Sequence, residues 1–341
     1  MSDEPELRSG PPWAMEEMIL AEPGLAEPII NEPAVSEAAG LVRAAAAAGA
    51  PVVLVGCGTS EHGAMAGAAL LGEALGSRGA VIARDAFEAS LAPQAGGVLI
   101  GVSHEAGTEA TLAALRSADA HGANVVMVTA IPANAPDGPL VIGTPLRDTS
   151  WCHTVGYLSP LLAFLGMAGG AYGPARALIE ATLERREELG EAARAVAGCE
   201  RLVVVGGGVD EVTARELALK IEEATHVPVT PLGQEKVIHG HLPAADERTG
   251  MVLLRFDGRQ AAARDARGDN ALAAAGVLGM PSVTLRANGG DLTPVAAALV
   301  EGAIALQLFT LELTHALRTN PDLIRREEAR YREAADAAGA G

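Results

Sequence analysis

The sequence predicts an α/β protein of two similar halves, each a doubly wound parallel sheet flanked by helices. The first observation is a repeat. Val52-Val53-Leu54-Val55-Gly56-Cys57-Gly58-Thr59-Ser60-Glu61 returns 150 residues later as Leu202-Val203-Val204-Val205-Gly206-Gly207-Gly208-Val209-Asp210-Glu211. In both copies an apolar run ends in G-x-G and a helical pattern follows, which reads as a buried parallel strand whose loop opens a helix. The second observation is that apolar runs alternate with helical patterns along the whole chain, the mark of a parallel α/β sheet.

Taken in order, residues 1–14 are polar and Pro-rich and read as an arm. Met1-Ser2-Asp3-Glu4 has no apolar stretch of the kind a signal peptide needs. A helical pattern at 15–21 is followed by turns at Pro23, Pro28 and Pro33, then by a helix over 35–48 with Gly49 as its stop. The first half continues as strand 51–56, helix 60–75, strand 79–84, strand 97–102, helix 108–121, and strands 124–129 and 140–143. Helices at 156–169 and 175–197 bridge to the second half. There, strand 202–205 leads to helix 211–225, strand 251–256 to helix 259–276, and strand 281–286 to a long helix near 294–317. Residues 325–341 are charged, then Ala/Gly-rich, and read as a tail or a fraying last helix. The resulting units are an arm and helix (1–34), a first half (35–174), a second half (175–320) and a tail (321–341). Right-handed crossovers place the ligand-facing loops at the carboxyl ends of the strands.

Composition narrows the function. With 341 residues, 49% of them hydrophobic, the chain can build two ordinary domains. A net charge of −18 repels phosphate backbones and argues against general nucleic-acid binding. A small anion can still be held by a local cradle of N–H groups. Lys220 and Lys236 are the only lysines, the other basic residues being arginine. Cys57, Cys152 and Cys199 are widely spaced, so neither a disulfide framework nor a metal site is expected, and a reducing cytoplasm fits. The most lipid-like stretch, 157–171, is short and carries Ser159 and Pro160. It reads as a buried helix, and no membrane partner is expected.

The glycine turns aim backbone N–H groups and a helix dipole at one point, which suits an anion. Hydroxyls cluster only in the first half: Thr59 and Ser60 after the first strand, and Ser103, Thr108 and Thr111 after strand 97–102. The matching strand of the second half ends in Asp257-Gly258-Arg259. Any one hydroxyl could be a helix cap, but two clusters on one sheet edge favour a cup for a phosphate, a sulfonate or sugar hydroxyls. A dinucleotide is not expected, because Glu61 and Glu211 stand where a third glycine belongs. No other cofactor is expected either. The densest polar cluster is Glu216-Leu217-Ala218-Leu219-Lys220-Ile221-Glu222-Glu223, followed by His239-Gly240-His241. Lys220 and Glu223 share a helix face, while Lys220 and Glu216 could equally form a surface pair. A carboxylate and a histidine converging on a sugar can move a proton between adjacent carbons.

At these residues the chain resembles the double sugar-isomerase (SIS) family, which includes the isomerase half of glucosamine-6-phosphate synthase. The resemblance covers residues 15–327. Gly56-Cys57-Gly58-Thr59-Ser60 matches the family's first motif, and Glu216–Glu223 is similar to its E-G-A-L-K-L-K-E. His239 stands sixteen residues after Glu223, as the family's catalytic histidine does after its glutamate. The resemblance implies two flavodoxin-like SIS domains. It implies Glu223 as the base between C1 and C2, Lys220 beside it, and His239 opening the sugar ring from the neighbouring subunit of a homodimer. It also implies a substrate site of Gly58, Thr59, Ser60, Ser103, Thr108, Trp151 and Cys152.

Three departures stand out. The second motif reads Ser103-His104-Glu105-Ala106-Gly107-Thr108 where the family has S-Q-S-G-E-T, so Glu105 takes a phosphate-binding serine position and His104 adjoins it. His241 replaces the proline after His-Gly. The family's C-terminal lysine is missing, with Arg325 and Arg326 in that segment, and arginine neither forms a Schiff base nor readily gives up a proton. No glutaminase activity is expected. The sequence therefore points to an aldose–ketose isomerase of a small sugar with a C6 anion, phosphate or sulfonate. An amino-sugar phosphate deaminase is the alternative within the family. A non-catalytic sugar-phosphate sensor is the alternative of another class, and it has no need of Glu223 with His239.

Overall fold

The structure is a computed structural model and describes residues 5, 6, 8–76 and 81–339. The chain opens with α1 (Ala14–Ala21), a 3-10 turn (Glu22–Leu25), α2 (Ala26–Ile30) and α3 (Pro33–Ala47). The first sheet unit follows: β1 (Val52–Gly56), α4 (Thr59–Ala74), β2 (Val81–Asp85), α5 (Ala86–Leu91), β3 (Val98–Val102), α6 (Glu109–Ala120), β4 (Asn124–Thr129) and β5 (Leu140–Gly143). Helices α7 (Val155–Met167), α8 (Tyr172–Leu183) and α9 (Arg186–Val196) lead to the second unit. It comprises β6 (Arg201–Gly206), α10 (Asp210–Thr225), β7 (Val229–Gly233), the single turn α11 (Gln234–Lys236), β8 (Thr249–Arg255), α12 (Ala261–Val277), β9 (Ser282–Arg286) and α13 (Pro294–Leu317). The short α14 (Ala329–Ala337) closes the chain.

The strand orders are β2-β1-β3-β4-β5 and β7-β6-β8-β9, and every pairing is parallel. The first is the flavodoxin-like order, and the second repeats it without a fifth strand. The two glycine turns therefore sit at equivalent strand ends, as the repeat predicts. The same contact requires glycine at both. A Cβ on Gly56 would lie 2.4 Å from the Ser60 carbonyl oxygen, and one on Gly206 2.3 Å from that of Asp210.

Burial explains the unbroken apolar strands. In β1, Val52 and Leu54 face a core shared by both halves, while Val53 and Val55 face a second cluster with Leu99, Leu115 and Met127. In β8, Val252 and Leu254 face the shared core, and Met251 and Leu253 an outer cluster with Leu232 and Ala271. Helix α13 packs on α10, α9, α8, α7 and α4. Among the described residues it is the one helix long and apolar enough to cross a membrane, and 89% of its most apolar window is buried inside the protein. The expected buried helix at 157–171 is α7, which packs on α4.

Several expectations are corrected. The expected helix 175–197 is two helices, broken where Arg185 turns inward to Glu301 at 2.7 Å and to the carbonyl of Arg286 at 2.8 Å. A buried guanidinium needs such partners. Pro28 lies within α2, and Pro33 opens α3, a position where its missing N–H costs nothing. Strand β7 was not expected, because Thr230 and Pro231 interrupt its apolar run; it is an edge strand, where proline is tolerated. Of the expected strand 79–84, residues 79 and 80 lie outside the described residues, as do 1–4 and 7 of the arm and 340–341 of the tail. The segment after α14's predecessor, α13, is anchored by Asp322. Its fully buried carboxylate accepts the N–H groups of Ala14 and Met15, each at 2.8 Å, and so caps α1.

Candidate active site

The two helices that follow the glycine turns, α4 and α10, pack against each other. Glu216, Lys220 and Glu223 lie on one face of α10 by their spacing. Lys220 Nζ is 2.5 Å from Glu223 Oε2 and 3.6 Å from Glu216 Oε1. From α4, the Thr59 hydroxyl donates to Glu216 Oε1 at 3.3 Å, and His62 Nδ1 lies 2.6 Å from Glu216 Oε2. The Lys220–Glu216 pair is no surface pair: the side chains are 1% and 0% exposed. A continuous polar chain thus runs from His62 in the first half through Glu216 and Lys220 to Glu223, whose side chain is 23% exposed.

Burial and charge set the protonation of this chain. Burial favours the neutral form of Glu216, but Lys220 and His62 outweigh it and hold the carboxyl below its ordinary range. Burial likewise disfavours the Lys220 ammonium, and Glu223 and Glu216 outweigh it, so Lys220 stays charged. At Glu223 burial wins over the attraction of Lys220, and the carboxyl is pushed up. A carboxyl raised toward neutrality and partly exposed to solvent can accept a proton and return it.

The wall of the site is the loop that precedes α7. The buried Asp148 carboxylate accepts N–H groups from Ser150 at 3.1 Å, Thr154 at 2.6 Å and Gly156 at 3.2 Å. These bonds fix the run Trp151-Cys152-His153. The backbone N–H of Asp148 donates to His104 Nε2 at 3.0 Å, and the His104 and His153 rings lie 4.7 Å apart. Burial, with His153 adding to it, brings His104 down to about 4, and burial with the Lys220 charge brings His153 down to about 3. Both imidazoles are neutral near pH 7. His104 therefore brings no positive charge to the site near pH 7. The Cys152 thiol is fully buried, its Sγ 3.8 Å from the Lys220 carbonyl oxygen, and burial pushes it well up, so it forms wall rather than nucleophile.

The expected cup is only partly assembled from the expected hydroxyls. Ser103 Oγ donates to Thr108 Oγ1 at 3.2 Å across a turn in which Ala106 adopts φ +56°. Thr59 is instead committed to Glu216, and Thr111 is buried beneath Gly101 of β3. Gly58, at φ +56°, precedes the first residue of α4, and Ser60 stands half-buried beside it. Glu105 is paired with Arg147, whose Nε and Nη2 lie 2.9 and 2.8 Å from Glu105 Oε1.

Other expected residues lie apart. His239 sits in an irregular turn (φ −101°, ψ 57°, before Gly240 at φ 133°), is 70% exposed, and has Glu235 at 3.2 Å and Arg267 at 3.4 Å as its partners. Arg325 pairs with Glu328 at 2.9 Å and stacks on Tyr331. Arg326 lies over the Trp151 ring at 5.2 Å, and the Trp151 backbone N–H donates to the Asp322 carbonyl at 3.1 Å, so the C-terminal segment closes on the Trp151 loop. The residues that sequence reasoning missed are His62, Arg147, Asp148 and His153. His62 carries a legible signal, being one helical turn from Thr59. The other three come from a loop without regular periodicity.

The equivalent turn of the second half is filled by the protein itself. Asp257 Oδ2 accepts the Val209 N–H at 3.0 Å, and Arg259 and Arg264 pair with the same carboxylate at 2.6 and 2.9 Å. Asp210 accepts the N–H groups of Phe256 and Asp257.

No protein-family model matches the chain, and no curated protein matches it by sequence. Solved structures do match. The C-terminal domain of glucosamine-fructose-6-phosphate aminotransferase from Francisella tularensis superposes with a TM-score of 0.75 at 16% identity, covering 93% of this chain and 99% of that one. Tagatose-6-phosphate ketose/aldose isomerase from Escherichia coli gives 0.76 at 17% identity, covering 92% and 95%. Glucosamine-6-phosphate deaminase from Thermotoga maritima gives 0.68 at 15% identity, covering 91% and 96%. The fold is thus the double SIS fold that the sequence motifs predict.

Proposed function

We propose that this double-SIS chain is an aldose–ketose isomerase of a small sugar phosphate or sulfonate. The observation that carries the reading is Glu223: a carboxyl raised by burial, held at 2.5 Å by a buried ammonium, at the end of a polar chain that joins both halves. In the proposed reaction Glu223 removes the proton on C2 of the open-chain aldose. The C–H electron pair forms the enediol double bond, and the carbonyl oxygen takes up negative charge. Glu223 then returns the proton to C1 while the O2 proton moves to O1, which leaves the ketose. Lys220 holds Glu223 in position, and its charge stabilises the enediolate. Glu223 and Glu216 keep Lys220 protonated, and His62 and Thr59 hold Glu216 in place.

His239 is exposed and turned toward its own Glu235 and Arg267. We propose that in a homodimer it reaches the partner's site and assists ring opening. Mixing inactive Glu223→Gln and His239→Ala subunits then restores part of the activity. A fully active monomer overturns this arrangement.

The test of the reaction is solvent exchange of the C2 proton, followed by proton NMR in deuterated water over phosphorylated, sulfonated and amino sugars. Exchange with ketose formation is expected. Glu223→Gln should slow it about 10²–10⁴-fold while substrate still binds. Release of ammonia from an amino sugar would replace the isomerase reading with a deaminase. Binding without exchange of any sugar would leave a sensor.

A further inference from the structure

The second motif of the first half places a carboxylate where a serine hydroxyl would complete an anion cup. That carboxylate already has a partner. Arg147, from the loop after β5, reaches Glu105 Oε1 with both Nε and Nη2. The guanidinium also acts electrostatically on His104 and His153, so it belongs to the group of side chains around the cup. Three further observations bear on its use. Both partners touch solvent, Arg147 31% and Glu105 21% exposed, whereas the buried pair Arg185–Glu301 is 7% and 1% exposed. A pair in contact with water is held weakly and exchanges partners readily, and a buried one does not. The two imidazoles beside it are neutral, so the cup gains no positive charge from them. Finally, guanidinium binds a phosphate or sulfonate oxygen pair at least as well as a carboxylate.

We propose that Glu105 is a resident stand-in for the ligand's anion: the sugar's phosphate or sulfonate displaces it from Arg147, which makes Arg147 the residue that selects anionic sugars. A neutral sugar leaves the pair closed and gains nothing from Arg147. The proposal rests on the sugar-isomerase reading for the identity of the ligand, but binding tests it separately from catalysis.

The experiment is calorimetric titration with fructose 6-phosphate, its 6-sulfonate analogue and fructose. The proteins are the wild type, Glu105→Gln, Arg147→Gln, Arg147→Lys and the double variant, each checked for an unchanged unfolding transition. Glu105→Gln should tighten the phosphosugar about tenfold, and Arg147→Gln should weaken it about tenfold or more. Arg147→Lys should keep part of the affinity. Fructose should change less than about twofold throughout. A stronger response of the phosphate than of the sulfonate identifies a dianion site, and an equal response a monoanion site. Both agree with the proposal. If folded Glu105→Gln and Arg147→Gln proteins keep the wild-type ratio of phosphosugar to fructose affinity, the proposal is overturned, even where C2-proton exchange upholds the isomerase. If the ratio shifts as stated but no sugar exchanges its C2 proton, the selectivity stands and the isomerase reading falls.

Discussion

At the first glycine turn the neighbouring strand, β3, is followed by Ser103, and around it stand hydroxyls, neutral imidazoles and a partly exposed ion pair. At the second turn Asp257 follows the equivalent strand, β8, by two residues, and the corresponding place is taken by that carboxylate, bonded to the Val209 N–H and clamped by Arg259 and Arg264. Backbone and sheet order are alike at the two places, and the side chains decide what each can do. The second turn has become structural by carrying its own anion. At the first turn no carboxylate among the described residues occupies the corresponding place, and the proposed reading puts the ligand's anion there. Meanwhile the helix behind the second turn, α10, lends its polar face to the first half through Thr59 and His62. On the proposed reading the halves divide the work: one holds the ligand, and the other supplies the base.

The largest effect that could break this comparison is expected at Lys220. Lys220→Met leaves Glu216 fully buried without its cation, which should cost about 3–5 kcal/mol in denaturant unfolding. An unchanged midpoint would mean that the chain from His62 to Glu223 is incidental. A smaller cost is expected at the second turn. Asp257→Ala strands the Val209 N–H but leaves Arg259 and Arg264 free to reach water, so about 1–3 kcal/mol should be lost. Inorganic phosphate should then raise the melting temperature of this variant more than that of the wild type, because an external anion can refill the emptied cradle. Equal shifts in both proteins would show that Asp257 does not stand in for an anion.

The two halves should also differ in their response to pH. His104 and His153 are held neutral in the fold, at about 4 and about 3. The unfolded chain therefore binds more protons below about 6.5. The stability they contribute is complete above that value and is lost as pH falls through the folded values. Asp210 is the reverse case. Burial pushes it up to about 7, so its contribution is present below the unfolded value near 4 and is lost as pH rises through 7. His153→Gln should remove a rise in melting temperature between about pH 3 and 6.5, and Asp210→Asn a fall between about pH 4 and 7. The two effects overlap in pH but are opposite in sign, and interchange of the signs would contradict the assignment.

Much of this was legible in the sequence. The repeated glycine turn fixed the equivalence of β1 and β6, since both strands are buried on two faces and so read as unbroken apolar runs. Glu223 and Lys220 were legible from their spacing, because a helix places residues three apart on one side. Thr59 was expected in the cup and proved to bind Glu216, since sequence spacing within α4 says nothing about α10 packing over it. The Asp148 loop was invisible for a different reason. It has no period, and its shape comes from one carboxylate gathering three N–H groups. Pro231 hid β7, because an edge strand tolerates a residue that a central strand would reject.

The division of labour between the two turns is tested most directly by the stoichiometry of ligand binding. Titration of the wild type with a 6-phosphorylated ketose should give one ligand per chain. Ser103→Ala with Thr108→Val should weaken it strongly, and Asp210→Asn should leave it unchanged. Two ligands per chain, or binding lost on altering only the second turn, would contradict the account.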